Sequence, residues 1–127
     1  YISEVAPLEV MLPAPGQGAL AILCRVEDGQ TQKLLASIHD PITAAAVYAE
    51  RAFAFHLKAE CSLPLAAFAE KNNGTIILTG AVISPDGKQA TRLSAVGQEP
   101  QQLGKRLAEL VLERAEGGVA SSHQRSD

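Results

Sequence analysis

Tryptophan is absent from this 127-residue chain, and aromatic residues make up only 4% of it. Any core must therefore be built from aliphatic side chains and alanine. A basic excess is also missing: the formal net charge is −3. That argues against nucleic acid or an anionic membrane surface as a partner, because both ask for clustered cations. No apolar run approaches the roughly 18 residues that a membrane-spanning helix needs. Cysteines number two, Cys24 and Cys61, and lie far apart. There is no Cys-x-x-Cys or His-x-x-x-His spacing, and His39, His56 and His123 are scattered, so no metal site is expected. No stretch reads as a secretory signal, which makes a reduced, cytoplasmic setting the expectation for both thiols.

What is present suits one domain of ordinary size. Hydrophobic residues make up 46% of the chain and charged ones 20%, close to globular averages. The opening "YISEVAPLEV" carries no initiator methionine, helix cap or strand pattern. It reads as the middle of something, and the chain is expected to be the C-terminal piece of a longer protein.

Residues 1–17 hold Pro7, Pro13, Pro15 and Gly16 and read as loop. Gly18–Val26 is a short apolar run bounded by turn residues, which predicts a strand buried on both faces, with Cys24 inside it. Thr31–Asp40 has Leu34, Leu35 and Ile38 at helical spacing, with Thr31 as its cap. Asp40-Pro41 then starts a second helix running to about Lys58. Val47, Phe53 and Leu57 form its apolar stripe, and Glu50 and Arg51 fall toward its less apolar side.

After Cys61 the period changes from helical to alternating. Leu63–Lys71, Thr75–Ser84 and Gln89–Gly97 read as strands, joined by Asn72-Asn73-Gly74 and by Pro85-Asp86-Gly87-Lys88. Two tight turns make a three-stranded antiparallel meander. Leu103, Leu107, Leu110, Val111 and Arg114 step along a last helix that Gly117-Gly118 should end, leaving residues 117–127 as a disordered tail. Helices with an antiparallel sheet predict an α+β fold, helices covering one sheet face.

Three places could carry chemistry. Gly16-Gln17-Gly18 precedes the apolar run. Its glycines would let backbone N–H groups approach a ligand, and Gln17 adds an amide; the plainer reading is a turn. Arg25 could clamp a carboxylate or simply be a solvated strand end. Cys61 follows a helix C-terminus, with Lys58 favouring and Glu60 opposing the thiolate. Taken alone, it reads as packing as readily as function.

"LPAPGQGALAILCR", "HDPITAAAVYAERAFAFHL", "CSLPLAAFAE" and "LTGAVISPDGK", in this order, resemble the porphobilinogen deaminase (hydroxymethylbilane synthase) family over residues 12–115. The resemblance implies a transferase of tetrapyrrole (heme) biosynthesis. It joins four porphobilinogens into hydroxymethylbilane, releasing ammonia at each addition. It implies a dipyrromethane cofactor, thioether-linked at Cys61, with Gln17, Gly18 and Ala19 lining the cofactor and substrate cleft. Arg25 matches an arginine of less defined role. Porphobilinogen and the growing polypyrrole would be the partners, with no nucleic acid and no membrane. The full-length protein is expected to be a monomer, and this piece is able to self-associate through an orphaned strand.

Three parts are implied. Residues 1–18 would end a second α/β domain and form a hinge. Residues 19–37 would be a strand and helix returning to a first α/β domain. Residues 38–127 would be the cofactor-bearing α+β domain. The family's catalytic aspartate and most of its substrate-binding arginines fall upstream, so no catalytic residue is expected here and the piece alone should be inactive. Two departures stand out: Ala59-Glu60 replaces a pair of glycines before the cysteine, and Leu23 stands where an acidic residue is common. They keep a diverged, non-catalytic α+β module or inactive paralogue as the alternative.

Overall fold

In the computed structural model the backbone is described for residues 1–60 and 64–122, and side chains for 1–58 and 64–115. The elements in chain order are α1 (Gly29–Ala36), α2 (Pro41–Glu60), β1 (Leu65–Asn72), β2 (Thr75–Ile83), β3 (Ala90–Gly97) and α3 (Pro100–Ser122). The three strands form one antiparallel sheet in the order β1-β2-β3. This is the α+β meander that the sequence predicts.

The turns explain the register. Asn72 pairs with Thr75, leaving Asn73 and Gly74 as a two-residue loop with φ of 49° and 79°. Positive φ at both positions matches the right-handed twist of the strands, and Asn-Gly tolerates it best. The longer β2–β3 connection is held by Asp86, whose carboxylate accepts from the Ser84 hydroxyl and the Lys88 N–H.

Alternation then decides the faces. Ile76, Leu78, Gly80 and Val82 of β2 are buried, and their neighbours Ala67, Ala69 and Ala95 share that face. Onto it pack α2, through Ala45, Ala49, Phe53 and Leu57, and α3, through Leu103, Leu107, Ala108 and Val111. Small residues let these layers close. Phe53 lies over Gly80, where any Cβ would run into the ring. A Cβ at Gly104 would sit 2.5 Å from the Ala49 carbonyl oxygen and 2.6 Å from the Ala52 Cβ, so the two helices touch backbone to backbone. On the opposite sheet face, Arg92 donates to the carbonyls of Leu8 and Glu9, tying residues 8–9 across the strands.

Several expectations are corrected. Gly18–Val26 joins no ladder among the described residues; Leu20 and Leu23 are 96% and 92% exposed, and Cys24 is exposed rather than buried. A strand needs a neighbour to satisfy its backbone, and the three-stranded sheet does not extend to this run. Helix α1 begins at Gly29 and ends at Ala36, and its cap is Asp28, not Thr31. The Asp28 carboxylate accepts from both the N–H and the hydroxyl of Thr31, so the aspartate supplies the acceptor and the threonine the donors. Helix α3 runs through Gly117 and Gly118 to Ser122. Glycine inside a helix costs only about 1 kcal/mol, too little by itself to end one. Residues 123–127 lie outside the described residues.

Candidate functional site

The glycine-rich turn is built first by its own backbone. The N–H of Gln17 donates to the Ala14 carbonyl at 3.0 Å and that of Ala19 to the Gly16 carbonyl at 3.2 Å. Gly16 and Gly18 adopt φ of 77° and 83°, the left-handed region that favours glycine. A Cβ on Gly18 would meet nothing within 4 Å. Its backbone therefore faces open space, and a ligand can approach it directly. Gln17 is exposed and Ala19 half-buried.

The turn is held from two sides. The Pro13 carbonyl accepts the Ala67 N–H of β1. The carboxylate of Glu50 accepts the Gly16 N–H at 2.6 Å and the Ala69 N–H at 2.8 Å. Glu50 is only 6% exposed, which corrects its expected place on the less apolar side of α2. Burial pushes its carboxyl above the ordinary glutamate value, and the two amide hydrogen bonds pull the other way. The signal was in the sequence: Ala46, Glu50, Phe53 and Leu57 step by four, three and four, which is one helix face.

Between the turn and the first half of α2 lies a concavity of about 530 Å³, lined by Gly16, Ala19, Leu20 and Ile22 on one side and by Thr43, Val47, Tyr48 and Arg51 on the other. Asp40 sits at its rim. Asp40 accepts from the Ile42 N–H and the Thr43 hydroxyl, capping α2 as expected. Both bonds hold its carboxyl below the usual aspartate value, the threonine hydroxyl most. Arg51, passed over as a helix-surface residue, is the one arginine lining this concavity among the described residues, and it also borders a second one with Tyr48, Phe55 and His56.

The expected site residues are thus partly assembled. Gln17, Gly18 and Ala19 share one accessible turn. Arg25 is exposed at the far end of the same segment, where its carbonyl accepts the Asp28 N–H in the turn before α1. Cys61 lies outside the described residues. It follows Glu60, the last residue of α2, ten residues or about 15 Å of helix beyond Glu50. No group of three or more His, Cys, Asp or Glu side chains that could hold a metal occurs among the described residues.

The comparisons with known proteins match this architecture. Residues 44–113 fit the family model described as "Porphobilinogen deaminase, C-terminal domain". The chain belongs to the porphobilinogen deaminase family. It is 47% identical over 119 residues to porphobilinogen deaminase of Brevibacillus brevis, covering 93% of this chain and 38% of that one. It is 40% identical over 113 residues to the enzyme of Geobacillus kaustophilus, covering 89% and 37%. Against that of Staphylococcus carnosus it is 37% identical over 114 residues, covering 89% and 37%. The chain therefore spans less than two fifths of the length of these relatives. No described helix is long and apolar enough to cross a membrane.

Proposed function

We propose that this chain is the cofactor-bearing C-terminal part of a porphobilinogen deaminase, a transferase of the cytoplasm that joins four porphobilinogens into hydroxymethylbilane with release of ammonia. The observation that carries the reading is the family match over residues 44–113, extended by 47% identity across 93% of the chain. Residues 38–127 form its α+β domain. Residues 1–18 end a second α/β domain and serve as hinge, and residues 19–37 return to a first α/β domain. The exposed apolar run from Leu20 to Val26 supports that division.

The chemical kind of the described residues suits a dipyrromethane. Gly18 offers an open backbone. Ala19, Leu20 and Val47 offer an apolar wall for flat rings, and Arg51 a guanidinium for carboxylate arms. When bound, that group supplies the primer to which porphobilinogen units are added. In this chain Cys61 would hold it through a thioether, and Gln17, Gly18 and Ala19 would line the cleft it occupies. Arg51 would pair with a carboxylate of the cofactor or of the growing chain, and Arg25 would play a lesser part. Proton transfer to the departing ammonia calls for a carboxylate, which a preceding domain would supply. The 127-residue chain alone should not turn over substrate.

The alternative, a diverged module that carries no cofactor, is favoured by one feature: Ala59-Glu60 stands where the family has glycines, and a carboxylate there opposes an anionic ligand. Intact mass of the longer protein after reconstitution with porphobilinogen separates the two. The expected result is a dipyrromethane adduct that Cys61→Ser abolishes and Cys24→Ser leaves in place. Cys24 makes a demanding control because its thiol is exposed. Unmodified Cys61 would instead support the non-catalytic module.

A further inference from the structure

Glu50 is the one buried charged side chain among the described residues, and its two oxygens face different parts of the chain. One accepts the Ala69 N–H on the outer edge of β1, where Pro13 holds Ala67, and the other the Gly16 N–H. A buried carboxylate is costly unless it is hydrogen-bonded, and these two donors meet that need. No charged side chain contributes to the shift of its carboxyl; burial and the two amides account for it. The adjacent ionisable groups Arg51 on α2 and Glu70 on β1 are both exposed, and the segment from Leu12 to Ala19 carries none.

The mechanical setting matters as much. Phe53 and Leu57, one and two turns further along α2, are fully buried, so Glu50 projects from a fixed rod. The turn it grips has two glycines at positive φ and little stiffness of its own. We propose that Glu50 is a positioning residue. By spanning the Gly16 and Ala69 N–H groups, it sets where along α2 the Gln17–Ala19 turn is presented. The functional meaning of that placement rests on the cofactor-facing reading of the turn, whereas the clasp belongs to this chain. Only a glutamate fits the geometry. Glutamine has one acceptor oxygen and would aim its NH₂ at the second N–H. Aspartate is one methylene shorter.

The 127-residue chain suffices for the test, by amide NMR. In the unsubstituted chain the Gly16 and Ala69 amide protons should titrate together, with one shared midpoint above the ordinary glutamate value of 4.5. In Glu50→Gln, at least one of those two amides should exchange with solvent about tenfold faster or more, as expected for a local opening. The Gln17 and Gly18 resonances should move, while the Leu78 and Leu107 amides keep their protection. Separate midpoints for Gly16 and Ala69, unchanged exchange, or unmoved Gln17 and Gly18 resonances would overturn the proposal. If Glu50→Gln fails to fold, the titration of the unsubstituted chain decides alone. Loss of the shared titration removes the clasp and leaves the deaminase reading intact. An unmodified Cys61 in the longer protein does the reverse.

Discussion

Residues 41–115 and residues 1–38 are both rich in aliphatic side chains, yet they treat them in opposite ways. The first region buries Phe53, Leu57, Ile76, Leu78, Leu107 and Val111 completely. The second leaves Ile2, Val5, Leu20, Ile22, Leu23 and Val26 exposed. The difference is not hydrophobicity but the company of each run. Thr75–Ile83 lies between two strands joined to it by short connections, so its backbone and its apolar face are satisfied together. Gly18–Val26 has the composition of a strand and no ladder among the described residues. Apolar content says that a segment is to be covered; only topology says by what.

The sharpest way to break the contrast is to damage the region that closes on itself. Phe53 fills the space over Gly80 and is fully buried between helix and sheet. Phe53→Ala should cost about 3–5 kcal/mol, a large fraction of the roughly 5–15 kcal/mol that holds a typical domain together. Urea denaturation followed by circular dichroism measures it. A loss below about 1 kcal/mol would mean that this core is not what holds the fold.

Next comes Gly104. In an exposed helix, Gly→Ala stabilises by about 1 kcal/mol. Here the added Cβ would press on the Ala49 carbonyl and on Ala52. Gly104→Ala should therefore destabilise by about 1–3 kcal/mol, reversing the sign that helix propensity gives. Equal or greater stability in the same denaturation assay would show that α2 and α3 separate more readily than their contact implies.

How much of this was legible beforehand follows the same division. The meander could be read because its information is local: Asn73-Gly74 and Asp86-Gly87 announce turns, and alternation between them sets the faces. The start of α2 was equally local, since Asp40-Pro41 is a cap followed by a residue that needs no N–H. What escaped reading depended on distant partners. Helical stepping puts Glu50 on the face of Phe53 and Leu57, but the Gly16 and Ala69 N–H groups that satisfy it there are distant in sequence. Gly104 looks like a weak point until Ala49 lies against it. Cys24 sits in a run of buried type whose covering is not within reach. For α1, by contrast, Asp28-x-x-Thr31 is a local signal, with the aspartate supplying the acceptor and the threonine the donors. In the candidate site the Gln17–Ala19 turn was readable from its glycines, whereas Arg51 was not, because the concavity it lines is made by a segment about thirty residues earlier.

A smaller effect is expected at the start of α2, where the two regions meet. Asp40→Ala removes the acceptor for the Ile42 N–H and the Thr43 hydroxyl and should lower the melting temperature by less than Gly104→Ala does. The pH dependence has a definite sign. The Asp40 carboxyl is held below its ordinary value of 3.8 by those two bonds. Its stabilisation is therefore present above 3.8 and lost as the pH falls through the lowered value. Glu50, shifted upward from 4.5, works oppositely: its favourable contribution is complete below 4.5 and declines as the pH rises through the raised value. Asp40→Asn, which keeps an acceptor without a titrating group, should retain most of the cap and make the acid-side slope shallower, the remainder coming from Asp28 and Asp86, which hydrogen bonds also hold below 3.8. Identical acid-side slopes in the parent chain and Asp40→Asn would assign that slope to other carboxylates.

The smallest effect is also the most informative about the unclosed region. Leu23 is 92% exposed, so Leu23→Ser in the 127-residue chain should change stability by no more than about 0.5 kcal/mol, as surface substitutions do. The same substitution in the longer protein should cost about 1.5–3 kcal/mol if a preceding domain covers this run, because a leucine side chain would then leave a buried site. Sedimentation of the short chain adds a second reading. An exposed strand-like run invites pairing between copies, and Leu23→Ser should weaken any such association. The comparison fails if the substitution costs the same in both lengths. Leu20–Val26 would then be a surface loop in either setting, and the assignment of residues 19–37 to a neighbouring domain would fall while the α+β core stood unchanged.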